Sequence, residues 1–307
     1  MIFFVFSYNR GPHLKNCVES IECCAPGQPV IVFDDASDDP ETVAVLASIG
    51  ERHEVVVRED KDSTDQHGAL YTNMQNAIDR VCDDDVICFL QDDTQMVRRL
   101  DDDDVVFIKE YFDRYPDSGF LAPVFQRKIA RPATLQRFVY DPERGVYIQS
   151  VKNGRRVAGV YYSDISITTT RRLKDKGWQF LMGEFENEQQ AARLFEEMGY
   201  LYAPFVIWLP TPPAYRNKKK SLAFSIAEKI NRAGLYPFSI MTDARVRALK
   251  SRPTKELPIA EHYLSTTVDG VPRPWIFHPL RRSRLLRRLD KLEAVVRSAK
   301  SWFTPKG

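Results

Sequence analysis

The stretch Val86-Ile87-Cys88-Phe89-Leu90-Gln91-Asp92-Asp93-Thr94 decides the fold of this chain. Its first five residues are an unbroken apolar run, the pattern of a strand buried on both faces of a parallel sheet. The run closes on two adjacent carboxylates. Held together at a strand end they repel, which is costly unless solvent or a cation screens them. A solvated loop is one answer. A divalent metal bridging to a phosphate is the other, because Mg²⁺ takes only one or two carboxylates and completes its shell with water and phosphate oxygens.

Working outward, the first 115 residues alternate between short apolar strands and amphipathic helices. The pattern predicts strands over Ile2–Phe6, Val30–Phe33, Glu54–Arg58 and Asp85–Leu90. It predicts helices over Pro12–Cys24, Pro40–Ile49, Gly68–Val81 and Asp102–Tyr115. Asp38 or Asp39 caps the second helix, with Pro40 in its first turn. The aspartates from Asp101 to Asp104 favour the N-terminus of the fourth through its dipole. Strands alternating with helices imply an α/β fold with a mostly parallel central sheet. Ligands of such sheets bind beyond the carboxyl ends of the strands. Ser7-Tyr8-Asn9, Asp34-Asp35 and Asp92-Asp93 all fall at such ends, and three polar clusters on one edge favour a site over a loop.

Beyond residue 115 the pattern loosens, with Pro116, Pro123, Pro132, Pro142, Gly145 and Gly154 as turn signals. A β-branched strand is expected over Ile165–Thr170, a helix over Glu186–Met198 ending at Gly199, and an apolar run over Tyr200–Leu209. Pro210, Pro212 and Pro213 then break the chain. The expected division is a main domain over 1–215, made of halves 1–115 and 116–215, and a helical, basic extension over 216–307.

An apolar content of 43% and a charged content of 28% are those of a soluble globular protein. Five cysteines, an odd number without a CxxC pair, argue against a disulfide framework and for a reducing, cytoplasmic compartment. No apolar stretch reaches the length of a membrane span. The net charge of +2 hides an asymmetry: residues 1–104 carry 8 Lys/Arg against 23 Asp/Glu, and the remainder 36 against 19. The acidic part suits a metal, and the basic part suits anionic ligands or a membrane surface.

In order and spacing these residues resemble the GT-A glycosyltransferases of the family 2 type, over about residues 1–210. The motifs are Ser7-Tyr8-Asn9-Arg10, Asp34-Asp35-Ala36-Ser37, the helix His67–Ala77, and Gln91-Asp92-Asp93-Thr94. Arg171-Arg172, Gly177-Trp178, the acidic stretch Glu184–Glu188 and Gly199-Tyr200 follow. The resemblance implies a Rossmann-like GT-A domain that moves a sugar from a nucleotide diphosphate, a uridine donor, to a carbohydrate or lipid-linked acceptor. It implies that Asp35 binds the base, that Ser7, Tyr8 and Asn9 line the same pocket, and that Asp92 lies near the ribose or phosphates. Asp93 would ligate Mn²⁺ or Mg²⁺, and Trp178 would meet the acceptor sugar. A metal suits the chemistry, since negative charge develops on the leaving diphosphate. No GxGxxG or GxxxxGK[ST] loop is present to cradle phosphates by backbone alone.

Inverting transfer needs a carboxylate to take the acceptor proton. Counting back from Arg193 places the family's aspartate at Asn187, which cannot serve. Counting back from Gly199 places it at Glu188. Glu188 is therefore the candidate base, with Glu186 and Glu184 in reserve. The family's histidine after the last strand has no near counterpart; His262 and His278 lie far downstream, and Lys218-Lys219-Lys220 is a basic run that reads as solvated.

Residues 280–303 read as a basic amphipathic helix, with Leu285, Leu289, Leu292, Val296, Ala299 and Phe303 along one stripe. Over 280–307 the chain has 9 basic and 2 acidic residues, which suits an anionic membrane surface. A helix docked on the protein, or pairing two subunits as an oligomer, is the other reading. A nucleotidyltransferase and a non-enzymatic nucleotide-binding module acting through the basic tail stand as rival functions. Nucleic acid is not the expected partner, because the positive charge lies mainly outside the sheet domain and no recognised motif accompanies it.

Overall fold

The computed structural model describes residues 1–58, 69–82, 85–128, 130, 132–149, 163–211, 220–231, 233–275 and 279–303. The sequence readings at His67-Gly68, Gly154, Pro212–Lys219 and His278 lie outside the described residues, as do the side chains of Ala299 and Phe303.

The first part of the chain follows the expected alternation. It runs β1 (Ile2–Ser7), α1 (Gly11–Cys24), β2 (Val30–Asp34), α2 (Pro40–Gly50), β3 (Glu54–Val57), α3 (Leu70–Asp79), β4 (Val86–Gln91), a short β5 (Thr94–Met96) and α4 (Asp102–Arg114). Then come β6 (Leu121–Ala122), α5 (Pro132–Leu135), the hairpin β7 (Phe138–Asp141) and β8 (Val146–Gln149), β9 (Ser166–Thr169), α6 (Thr170–Asp175), α7 (Glu184–Leu194), β10 (Gly199–Leu201) and β11 (Val206–Trp208). The remainder is helical: α8 (Leu222–Ile230), α9 (Asp243–Lys250), α10 (Ala260–Tyr263), a 3-10 turn over Pro279–Arg282 and α11 (Arg284–Phe303).

The main sheet has the order β3-β2-β1-β4-β9-β6-β10-β8-β7. The four strands from β3 to β4 are parallel, and β9 enters antiparallel between β4 and β6. The sheet is thus an α/β sheet, mostly parallel, with flanking helices. The alternation of β1 and β4 puts Phe4, Phe6 and Phe89 on one face, where they form an aromatic layer with Phe33 and Phe180. On the other face Leu14, Cys17, Val18 and Ile21 of α1 are fully buried, as their spacing requires. The acid run before α4 is a cap: Asp101 and Asp104 form a reciprocal capping box, and Arg98 and Lys250 neutralise Asp104. Asp39 caps α2 by accepting from the Thr42 amide at 2.9 Å.

Two readings need correction. The helix expected to end at Gly199 stops at Leu194, because Phe195 turns extended and wedges its ring against Phe120 and Trp178. Gly199 opens β10 instead, where a side chain would collide with Tyr111 and Leu121. The apolar run Tyr200–Leu209 is also not one element. It breaks at Tyr202-Ala203-Pro204, since proline cannot donate to a ladder, and β11 leaves the main sheet to pair with β5. Around that small ladder Val97, Phe125, Ile207 and Leu209 share a second core with Phe238, Met241, Leu249 and Trp275 of the C-terminal part.

Candidate functional site

The carboxyl ends of β1, β2 and β4 meet at one edge because the three strands are in register: Ser7 pairs with Asp34, and Phe6 pairs with both Phe33 and Gln91. Each end turns sharply. Asn9 and Ala36 take left-handed backbone conformations, with φ of 48° and 54°. Asn9 is held there by its own amide group, which accepts from the amides of Asp38 and Asp39 and donates to the Asp38 carboxylate. Asp34 is buried and folds the same turn, accepting from the Ser37 amide at 2.7 Å and its hydroxyl at 2.6 Å. Asn9 and Asp34 are therefore occupied in building the edge. Asp35 stands beyond them, accepting from the Ala69 amide at 3.2 Å, with the Arg58 guanidinium 3.6 Å away.

The acid pair is screened by a side chain. Arg10 Nη1 lies 3.3 Å from Asp92 Oδ1 and 3.1 Å from Asp93 Oδ2, while its other amino group reaches Thr211. Asp92 is buried, and it also accepts from the Tyr8 amide at 3.4 Å. Burial raises its carboxyl, Arg10 pulls it down and the neighbouring Asp93 raises it again, for a net position well above the usual carboxylate range. Asp93 Oδ1 is buried and has no hydrogen-bond partner, while the Ser7 hydroxyl bears on the Asp92 carboxylate and helps to hold it charged. A bare buried oxygen is costly, so it marks a place where a ligand completes the site. Among the described residues no three His, Cys, Asp or Glu side chains gather to hold a metal by themselves. Mn²⁺ and Mg²⁺ take only one or two carboxylates and leave most positions to water and phosphate, so a single unpaired carboxylate oxygen suits their coordination.

The chain after β11 returns to this edge. Leu209 donates its amide to the Asp93 carbonyl at 2.8 Å, and the Thr211 hydroxyl meets His13 Nε2 at 2.9 Å. A threonine thus arrives after β11, and the imidazole that meets it comes from α1. Burial first, and then Arg10, hold His13 down at about 3, so it is neutral. His262 is exposed on α10.

A second cluster lies on the same edge, on the aromatic face. Because β9 runs antiparallel to β4, with Ser166 opposite Phe89, residues just ahead of β9 come to the carboxyl edge of β4. Asp164 is there. It is 4% exposed, accepts from the Tyr71 hydroxyl at 3.2 Å through Oδ2, and leaves Oδ1 without a partner. Burial first, and then Glu184 at the start of α7, raise its carboxyl to about 7 against the hydrogen bonds from Tyr71 and Ser163.

The candidates for the base separate in space. Asn187 is buried: it accepts from the Leu181 amide and donates to the carbonyls of Leu181 and Gly183, which fastens the start of α7. Glu186 folds back over Gly183, into space that a side chain there would fill. Glu188 bears on Tyr200 of β10, three strands away from β4. Glu184 alone of the three acids bears on Asp164 and Tyr71. Trp178 is 3% exposed, and its ring meets Phe120, Phe180 and Phe195, so its faces are taken by protein. The more open apolar side chains near Glu184 are Met182 and Phe185. Arg172 of the basic motif caps α4, donating to the carbonyls of Phe112 and Tyr115.

Arg10, His13, Tyr71, Asp164 and Thr211 have no role in the sequence reading. Asp164 is the instructive case, since only the direction of β9 brings it to this edge, and a strand's direction is not written in its apolar pattern.

No protein-family model and no curated protein matches the sequence. Solved structures do resemble its backbone course. TarS of S. aureus, residues 1–349 in complex with UDP, is 14% identical over 81% of this chain and 68% of that one, with a TM-score of 0.45. The mannosyltransferase PcManGT from Pyrobaculum calidifontis, in complex with GDP-Man and Mn²⁺, is 12% identical over 82% and 64%, with a TM-score of 0.42. The chain spans 42% of the longer TarS structure.

Proposed function

We propose that this chain is a metal-dependent glycosyltransferase that moves a sugar from a uridine diphosphate donor to a hydroxyl of a glycan or lipid-linked acceptor, with inversion. The observation that carries the reading is Asp93, whose Oδ1 stands bare and buried at the carboxyl end of β4, beside Ser7 and Asp35. UDP in the TarS complex and GDP-Man with Mn²⁺ in the mannosyltransferase complex are in keeping with it, as properties of those proteins.

In this reading Asp35 and Ser7 take the base and ribose, with Asn9 and Asp34 shaping the turns that present them. Asp93 would hold Mn²⁺ or Mg²⁺, which would supply positive charge against the leaving diphosphate. Arg10 neutralises Asp92 and the far oxygen of Asp93 and, from the edge of the site, adds a second positive charge toward the phosphates. Neutral His13 and Thr211 close the wall behind Arg10. The protein acts in the cytoplasm, bounded by residues 1–215 as the transfer domain.

The basic extension is proposed to rest on an anionic membrane. No helix among the described residues is long and apolar enough to cross one. The two acids of residues 280–307 are both turned inward onto α8: Asp290 accepts from the Ser221 hydroxyl, and Glu293 accepts from the amides of Leu222 and Ala223. The groove between α8 and α11 leaves Leu222, Ile226, Leu289, Leu292 and Val296 exposed, beside Arg297. Apolar side chains among basic ones complement a lipid surface of negative charge.

The experiment is isothermal titration of UDP with and without Mn²⁺, alongside nucleoside diphosphate release from a panel of nucleotide sugars. Metal-dependent UDP binding that Asp93→Ala abolishes is the expected result. If Asp93→Ala binds UDP and Mn²⁺ as wild type does, the metal assignment fails. Intact binding with no release from any donor would make the chain a nucleotide-binding module, a reading that the structural role of Asn187 keeps open. Release of pyrophosphate would make it a nucleotidyltransferase.

A further inference from the structure

Resting on the transfer reading above, we infer that Asp164 is the proton acceptor of the reaction, held by Tyr71 and opposed by Glu184. Three observations point to it together. The position matching the family's base carries Asn187, whose amide is consumed by backbone groups on both sides. Of the expected substitutes, Glu188 looks toward β10 and Glu186 folds over its own helix start. Asp164 reaches the carboxyl edge of β4 on an antiparallel strand and keeps one buried oxygen unpaired, which in a folded protein calls for a partner.

The step balances without a further reactant. The acceptor hydroxyl gives its proton to Asp164 Oδ1, and its oxygen lone pair forms the new bond to the anomeric carbon. The bond from that carbon to the diphosphate oxygen breaks, and its electron pair leaves with the nucleoside diphosphate. Tyr71 O–H donates to Oδ2 and Ser163 also bears on the carboxylate, which together fix it; Oδ1, with no hydrogen bond of normal geometry, receives the proton. A carboxylate buried beside a second acid binds a proton more tightly than an exposed one, so it is a stronger base at neutral pH.

The groups facing Asp164 are Tyr71 on α3, Glu184 on α7 and Ser163 in its own turn. Two of them give opposite signs. Tyr71→Phe removes a hydrogen bond to the charged form, so the acid limb of kcat moves to higher pH. Glu184→Gln removes a like charge, so the limb moves to lower pH. A merely structural part for Asp164 gives no such opposed pair.

The test is release of UDP from UDP-glucose and UDP-N-acetylglucosamine, and of GDP from GDP-mannose, with Mn²⁺ and water as acceptor. Asp164→Asn should lower kcat by roughly 10²–10⁴-fold while UDP–Mn²⁺ binding stays as in wild type. If Asp164→Asn does not fold, the opposed shifts of Tyr71→Phe and Glu184→Gln decide, and shifts that are absent or share one sign overturn the assignment. Activity within about threefold of wild type in Asp164→Asn, with Asp93→Ala inactive, overturns Asp164 and leaves the transfer reading standing. A wild-type protein that turns over no donor overturns both.

Discussion

The guanidinium of Arg10 holds one oxygen of Asp93 at 3.1 Å and leaves the other bare. A side chain thus does half of the screening that the acid pair needs, and half is left for a ligand. Arg10→Gln should therefore expose the whole cost of the pair. The ions are partly open to water, so the loss is about 1–3 kcal/mol rather than that of a fully buried pair. Mn²⁺ should restore much of it, since a metal can stand where the guanidinium stood. Thermal unfolding with and without Mn²⁺ checks this: the metal should raise Tm more in Arg10→Gln than in wild type, and an equal rise in both would refute it.

Asn187→Asp restores the acid that the family resemblance asks for, yet it should not raise activity. The native amide donates to two carbonyls, and a carboxylate would face both oxygens with nothing to give. The expected result is a loss of about 1–3 kcal/mol in urea unfolding, with kcat no higher than wild type.

Stability should respond to pH through buried groups of opposite sign, the raised carboxyls of Asp164 and Asp92 on one side and the lowered imidazole of His13 on the other. Asp164 has its carboxyl raised in the folded protein to about 7, so the fold binds a proton that the unfolded chain releases. Its contribution is complete below pH 4 and is lost as pH rises toward 7. His13 is held down at about 3, so its contribution is complete above pH 6.5 and is lost as pH falls. Urea midpoints between pH 4 and 8 should show Asp164→Asn reducing the first slope, to which Asp92 also contributes, and His13→Gln removing the second. A slope unchanged in the matching variant would contradict the assignment.

The tail predicts a charge-dependent affinity. Full-length protein should sediment with vesicles containing phosphatidylserine and not with phosphatidylcholine alone, and Leu289→Asp with Leu292→Asp should abolish it. Equal binding to both vesicle types would end the membrane proposal. A concentration-dependent dimer in solution that the same substitutions dissolve would assign the face to a second copy of the chain.

The first half of the fold was legible because its elements are strongly periodic and its caps conventional. Phe4, Phe6 and Phe89 fall on one face by simple alternation, and Asp39 caps where its sequence context says it should. The edge clusters followed, since parallel strands put their ends together. Legibility failed where one residue had to choose between partners far away in sequence. Asn9 and Asp34 look like ligand residues until the turn they build is seen. Trp178 looks like a sugar platform until Phe120, Phe180 and Phe195 are found on it. Pro204 splits one apolar run between two sheets, a choice that depends on where β5 lies.

The antiparallel entry of β9 has a consequence for how the two halves of the site are anchored. Asp92 and Asp93 are delivered by a strand that leaves the core, so their position is fixed by five residue pairs with β1. Asp164 is delivered ahead of its strand, by chain still on its way in. One residue inserted just before β9 would carry the acid off the edge and leave the carboxylates of β4 where they are. The two sides of the reaction can therefore drift apart in evolution independently, the donor side clamped by the sheet and the acceptor side adjustable by the length of a single incoming segment.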